Sequence, residues 1–284
     1  MTETRPHAQS AARPALAIRN LVVDFMRHAE SVRAVNDVTV DVWPREIVGV
    51  IGESGSGKTV CALSAMRLLA RNARVEGSIH LGERDILAQD ERGMRALRGD
   101  RIVLIPQDAL QSMNPTLRVG RQVGEPFELH RGEARSVAAA RVPELLKAVK
   151  IQRPDERQHG YPHEFSGGMQ QRAMIAMGLA LDPELIIADE PTTALDVTVQ
   201  AEILKLLREI RDTRGAAILF ITHELGIVAE LCDWVYVMHK GKVVESGPVK
   251  RVFNAPEADY TRMLLEATPS LHTPRDPQTR ARHD

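Results

Sequence analysis

The stretch from Ile47 to Thr59, IVGVIGESGSGKT, decides the fold. Its last eight residues fit the pattern G-x-x-x-x-G-K-S/T. The apolar run Ile47-Val48-Gly49-Val50-Ile51 precedes them, and an apolar-periodic segment follows from about Val60. That context predicts strand, loop and helix in succession. Gly52, Gly55 and Gly57 permit the tight turns that aim backbone N–H groups at phosphate oxygens, and the helix behind them presents its positive end. Glu53, Ser54 and Ser56 complete the loop. Lys58 is placed to reach the outer phosphates of a nucleotide, and Thr59 to hold a Mg2+ ion. A flexible Gly/Ser turn is the plainer alternative, and the strand-then-helix context weighs against it.

Outward from this loop, LIIADE, Leu185 to Glu190, supplies what the loop lacks. Four apolar residues closed by Asp189 and Glu190 read as a buried strand. Its carboxyl end carries two acids to the edge where open α/β sheets bind ligands. By itself such a run is an ordinary strand end. Paired with the upstream loop it implies ATP hydrolysis, with Asp189 at the Mg2+ shell and Glu190 orienting the attacking water. Phosphoryl transfer needs a positioned nucleophile and neutralised charge more than covalent chemistry.

Between the two lies YPHEFSGGMQQR, Tyr161 to Arg172. Ser166 stands before Gly167-Gly168 and a helix-like run from Met169 to Leu181, as an N-cap does, and a glycine-flanked helix start is also an anion site. Both readings hold. With the run on to Leu204, this string resembles the signature region of ATP-binding cassette (ABC) ATPases, and closely that of the oligopeptide/dipeptide/nickel importer branch. The resemblance extends from about Ala17 to about Thr268. Met169 replaces the Gln of the general signature, a change familiar in the peptide-importer branch.

The resemblance implies an α/β fold: a P-loop NTPase core of ABC ATPase type with an antiparallel β subdomain and a helical subdomain carrying the signature. In that family the signature of one subunit contacts the γ-phosphate held by the loop of another, so Ser166, Gly167 and Gly168 are expected to act in trans. Gln107, after the run Ile102–Ile105 and Pro106, resembles the glutamine that senses Mg2+ and the γ-phosphate; taken alone it is a surface loop amide. His223, closing the run Ala217–Thr222, resembles the switch histidine, and is otherwise structural or exposed. Asp196 resembles the aspartate that crosses the dimer interface, and it also suits the N-cap of a helix with Val199, Ile203, Leu206, Leu207 and Ile210 on its apolar face. Phe25 is either the aromatic that stacks on adenine or ordinary core.

The same resemblance implies partners. They are a second, different but related ABC ATPase chain, two transmembrane permease subunits, and an extracytoplasmic substrate-binding protein acting through the permease. Location would be peripheral, on the cytoplasmic face of the inner membrane. Residues Ser112 to Leu117 stand where related cassettes receive the permease's coupling helix, although the bare sequence is a turn-rich loop. Tyr260-Thr261-Arg262 resembles the tail of an H-P-Y-T-R element of this branch, with Ala258-Asp259 in place of His-Pro. Some relatives carry a C-terminal cysteine cluster for an iron–sulfur centre; no cysteine follows Cys232, so none is implied.

Composition fits a soluble cytoplasmic enzyme. A chain of 284 residues has ample material for a core. The net charge of -1 with scattered Lys and Arg shows no electrostatic footprint for nucleic acid. Cys61 and Cys232 lie in separate apolar-periodic segments and read as reduced and structural. No stretch reads as a signal peptide or approaches the ~18 apolar residues of a membrane span.

Periodicity sets the layout. Residues 1–13 read as disordered, 14–268 as one cassette with its helical subdomain at about 108–168, and 269–284 as a mobile tail. Alternating segments at 17–25, 35–43 and 77–81 predict an antiparallel layer; the short apolar runs at 47–51, 102–105, 185–188 and 217–221 predict a parallel core sheet. Pro143 predicts a helix that breaks, kinks or restarts. A non-transport ABC ATPase acting on nucleic acid or ribosomes is the alternative function. It calls for paired cassettes, a coiled-coil insertion or a basic stripe, and the sequence has none. A structural subunit that has lost hydrolysis would need a damaged Lys58, Asp189, Glu190 or His223, and all four are intact.

Overall fold

Two sheets and a helical layer are stacked in the computed structural model, which describes residues 13–27, 30–193 and 195–267. In chain order the elements are β1 (Leu16–Arg27), β2 (Glu30–Val42), β3 (Ile47–Ile51), α1 (Lys58–Met66), β4 (Ala73–Leu81), β5 (Arg84–Asp85), α2 (Glu91–Leu97) and β6 (Ile102–Ile105). A helical insertion follows: α3 (Ala109–Ser112), α4 (Val119–Arg131), α5 (Arg135–Ala148), α6 (Pro154–Arg157), a 3-10 turn (Pro162–Glu164) and α7 (Gly167–Gly178). The chain then returns through β7 (Leu185–Asp189), α8 (Val197–Arg214), β8 (Ala217–Ile221), α9 (Leu225–Leu231), β9 (Trp234–His239), β10 (Lys242–Pro248), α10 (Val249–Asn254) and α11 (Asp259–Glu266).

The main sheet has the order β10-β9-β3-β8-β7-β6, parallel except for β10. Every residue of β3 and β8 is buried, as parallel strands covered on both faces require. Alternation along each strand then sorts side chains between two cores. Ile47, Ile51, Ile186, Ile218 and Phe220 face the helices, whereas Val48, Val50, Ile187, Leu219 and Ile221 face the second sheet. Truncating one of these, as in Ile187→Ala, would cost about 2–5 kcal/mol.

That second sheet, order β2-β1-β4-β5, is antiparallel, as the alternating segments predict. The four short runs predicted as parallel strands all lie in the main sheet, and the sequence reading misses β9 and β10 at one of its edges. A β9–β10 hairpin turns at Lys240 (φ 47°) and Gly241 (φ 78°), the pair of left-handed residues that a tight hairpin favours. A Cβ on Gly241 would lie 2.8 Å from the Ala34 carbonyl oxygen.

Pro143 does not break or restart its helix, contrary to that part of the expectation. α5 runs through it, as α4 runs through Pro126. An interior proline costs about 3 kcal/mol. Val142 and Leu146, both fully buried in the helix-side core, each return about 1.5–3 kcal/mol, enough to hold the helix across the missing hydrogen bond.

The readings of residues 1–12 and 269–284 as disordered or mobile fall outside the described residues; Arg13 is described and pairs with Glu83 at 2.7 Å. Cys61 and Cys232 are free and buried, and burial pushes the Cys61 thiol up to about 12. Among the described residues no helix is long and apolar enough to cross a membrane.

Candidate functional site

The loop between β3 and α1 has a backbone that only glycine permits at its ends. Gly52 has φ 148°, and a Cβ there would fall 2.1 Å from the Met238 carbonyl oxygen; Gly57 has φ 101° and backs onto the Ala34 carbonyl. Gly57 caps α1 with no side chain, so the first N–H groups of that helix are left for an anion. Ser56 N–H donates to Glu53 O at 3.2 Å, and Gly241 N–H to Ser56 O at 3.0 Å, which ties the loop to the β9–β10 turn.

Lys58 is only 5% exposed, and its Nζ donates to the loop's own carbonyls, Gly52 O at 2.8 Å and Glu53 O at 2.9 Å. Burial pulls the ammonium below its ordinary value, with the Glu190 and Asp189 carboxylates opposing. A buried cation satisfied only by carbonyl dipoles is a strong attractor for phosphate.

Asp189 ends β7 facing α1, where Thr59 Oγ1 donates to its Oδ1 at 3.2 Å. Burial raises its carboxyl above the ordinary value; the Thr59 hydrogen bond lowers it, the Glu190 charge raises it and the Lys58 charge lowers it. The Thr59 hydroxyl and the Asp189 carboxylate, 3.2 Å apart, are oxygen donors suited to a hard cation, and the Gln107 amide, held on Glu190, carries a third oxygen. Among the described residues no group of three or more His, Cys, Asp or Glu could hold a metal alone. The donors therefore fit a Mg2+ ion that brings phosphate oxygens and waters with it, not a protein cage.

Three side chains converge on Glu190. Its backbone is left-handed (φ 48°) and its N–H donates to Ile221 O at 2.9 Å, so the end of β8 fixes the turn. His223 Nδ1 lies 3.1 Å from Oε1, while Thr193 Oγ1 and Gln107 Nε2 donate to Oε2 at 3.2 and 3.4 Å. Sequence reasoning places Glu190, His223 and Gln107 here but misses Thr193. The only available signal was its position three residues after Glu190, in the turn that leads to α8. With Nδ1–H donating to the carboxylate, the neutral ring leaves Nε2 bare. It can then donate to a phosphate oxygen only as the imidazolium.

Ser166 caps α7, its Oγ accepting Met169 N–H at 3.4 Å. A Cβ on Gly168 would meet Val199 Cγ1 at 2.4 Å, so this glycine lets α7 approach the start of α8. Asp196 caps α8 by accepting Thr198 N–H at 3.1 Å and Val199 N–H at 3.0 Å. Val199 is only partly buried, and Leu204 joins Ile203, Leu206, Leu207 and Ile210 on the buried face. Among the described residues no hydrogen bond joins 166–168 to the 52–59 loop. Phe25 is half-buried and packs against the core between the sheets.

A cavity of about 510 Å³ opens beside Thr193, lined also by Gln107, Gly167 and Gln171. Beyond Gln107, the buried Gln122 of α4 holds the next turn. Its Oε1 accepts Asn114 N–H at 2.8 Å, and its Nε2 donates to the Asn114 and Leu117 carbonyls at 3.0 Å each.

A family model described as ABC transporter matches residues 35–193. A putative peptide import ATP-binding protein of Brucella ovis is 49% identical over 267 residues, 91% of this chain and 78% of that protein. A probable peptide ABC transporter ATP-binding protein of Sinorhizobium fredii is 46% identical over 256 residues, 89% of this chain and 76% of its own. A peptidoglycan transport ATP-binding protein of Agrobacterium fabrum is 47% identical, covering 94% of this chain and 49% of its own. Among solved structures, a Clostridium perfringens protein that is part of an ABC transporter complex superposes with a TM-score of 0.73 at 26% identity, over 85% of this chain and 91% of its own. A dimeric ATP-binding cassette bound to ADP and Pi gives 0.73 at 24% identity, over 82% and 98%.

Proposed function

We propose, from the premise that this chain belongs to the ABC transporter family, that it is the ATP-hydrolysing subunit of a peptide importer. The observation that carries the reading is the convergence of Gln107, Thr193 and His223 on Glu190, beside a carboxylate aimed at Thr59. Relatives named for peptide import, at 46–49% identity over most of the chain, supply the cargo class.

The residues divide the work. The 52–59 loop and the start of α1 bind the phosphates, with Lys58 exchanging carbonyl oxygens for phosphate oxygens. Thr59, Asp189 and Gln107 would hold Mg2+, which when bound neutralises phosphate charge. Glu190, fixed by three side chains, orients water for in-line attack, and His223 contacts the γ-phosphate from the adjacent strand end. Phe25 would stack on adenine.

Ser166, Gly167 and Gly168 have no contact of this kind with their own loop, and they cap a helix whose free N–H groups favour an anion. They would serve ATP bound to a second cassette, a related but different chain, with Asp196 at the interface. ATP then favours the closed pair because its phosphates meet donors from both chains. The turn at 112–117, pinned by Gln122, would receive the permease, with the chain peripheral on the cytoplasmic face of the inner membrane. A substrate-binding protein would deliver cargo to the permease.

The test is ATP turnover of the complex assembled with its permease and second ATPase, with binding protein loaded from a panel of peptides, glutathione, nickel and peptidoglycan fragments. Stimulation by a peptide-loaded binding protein is expected. Turnover indifferent to every component, without assembly on the permease, would end the importer reading and leave the ATPase standing.

A further inference from the structure

One peptide unit of the phosphate loop is held at both ends. Between Gly52 and Glu53, the carbonyl oxygen accepts Lys58 Nζ at 2.8 Å, and the N–H donates to the hydroxyl of Tyr260 at 3.2 Å, from more than two hundred residues away in sequence. Among the described backbone pairings the Glu53 N–H has no other acceptor. The plane that presents a carbonyl to the buried lysine is therefore set by a side chain on α11.

Tyr260 is itself braced. Its ring lies 3.9 Å from that of His239, at an interplanar angle of 34°, and the preceding residue, Met238, backs onto Gly52. The helix carrying it is anchored on a buried carboxylate of β10: Glu245 accepts the N–H groups of Glu257 and Ala258, both at 3.0 Å, and pairs with Arg251 at 3.3 Å. Thr261 and Leu265 are buried beneath it. This frame fixes where the phenol can stand, so the Glu53 N–H meets a placed acceptor and not a wandering side chain.

We propose that Tyr260 is a positioning residue of the ATP site: it holds the Gly52–Glu53 peptide so that Lys58 and the following loop N–H groups face the nucleotide, which links docking of α11 to nucleotide occupancy. The inference rests on the ATPase reading. Linkage makes the coupling reciprocal, so a nucleotide that needs the ordered loop must also stabilise the docked helix. When Lys58 turns towards phosphate it releases the carbonyl end of the plane, and the tyrosine then remains as its only side-chain restraint.

The experiment compares the full chain with Tyr260→Phe, which keeps the ring against His239 and removes only the hydroxyl. Three readouts are taken: fluorescent ADP affinity, hydrogen exchange at residues 257–266 with and without ADP, and KM and kcat for ATP in the assembled complex. Expected are an ADP Kd and an ATP KM raised about three- to tenfold, a smaller change in kcat, and loss of the ADP-induced protection of α11 that the wild type shows. A Tyr260→Leu variant should be no better than Tyr260→Phe at the nucleotide but melt lower, which separates the hydroxyl from the ring. Unchanged Kd and protection in Tyr260→Phe would overturn the proposal while leaving the ATPase reading intact. A wild-type chain that binds no ADP would overturn both.

Discussion

Glu190 Oε1 and His223 Nδ1 lie 3.1 Å apart across the carboxyl ends of two neighbouring parallel strands, β7 and β8. The pairing is a product of sheet register. Asp189 pairs with Ile221, so Glu190, one residue beyond Asp189, and His223, two residues beyond Ile221, leave the sheet side by side and bring an acid and an imidazole into reach. Both are presented where the phosphate loop of β3, one strand further along, also emerges.

Glu190→Gln should keep the contacts from Thr193 and Gln107 and remove the charge that aligns water. Turnover is expected to fall by at least about 10²-fold with ATP affinity retained. ATP should then hold the cassettes together as a stable closed dimer, visible by size-exclusion chromatography. Undiminished turnover would refute the role given to this carboxylate.

Lys58→Ala removes the cation that now rests on two loop carbonyls. ATP affinity should drop by about tenfold or more, since a charge-assisted contact to phosphate contributes about 1.5–3 kcal/mol. Calorimetric titration gives the answer directly; equal affinities for variant and wild type would count against the assignment.

Asp189→Asn carries a pH signature. Burial leaves the Asp189 carboxyl above its ordinary 3.8 in the folded chain, so the folded state holds its proton longer than the unfolded state does. Its contribution to stability is therefore fully present below 3.8 and is lost as pH rises through the folded-state value. Asparagine keeps an acceptor for Thr59 without the charge. The nucleotide-free variant should melt above wild type at pH 7.5, the gap should close towards pH 4, and hydrolysis should be lost. Wild type melting higher at pH 7.5 would contradict the burial argument.

Gly168→Ala should strain the contact between α7 and α8, because the new methyl would meet Val199 Cγ1 at 2.4 Å. A cost of about 1–3 kcal/mol and a loss of turnover are expected. Adding Val199→Ala removes the obstructing methyl groups and should recover most of the melting temperature. If the double variant is no more stable than Gly168→Ala alone, the clash is not the cause.

Much of this site is legible in the sequence because it sits at strand ends. Short apolar runs announce β3, β6, β7 and β8, and the polar residue closing each run is carried to the same sheet edge. Caps were equally readable: Ser166 and Asp196 both accept helix N–H groups, as their positions predict. Thr193 was not readable, since nothing in its spacing shows that the turn after Glu190 folds back onto the carboxylate. Tyr260 was visible only as part of a string, because its partner Glu53 is brought near by packing. The β9–β10 hairpin left a signal in Lys240-Gly241, which follows the apolar run Trp234 to Met238 and precedes Val243-Val244, and weighing that turn would have completed the sheet.

Gln107 leaves the sheet from β6, the outermost parallel strand, and the helical layer begins immediately after it. The other groups around Glu190 arise from interior strands and are tied to one another across the sheet. A rotation of the helices about that border would stretch the 3.4 Å contact from Gln107 to Glu190 first, while the Thr59–Asp189 and His223–Glu190 pairs stay closed. The glutamine is thus mounted like a clutch: its contact would be the first to disengage if the neighbouring block swung.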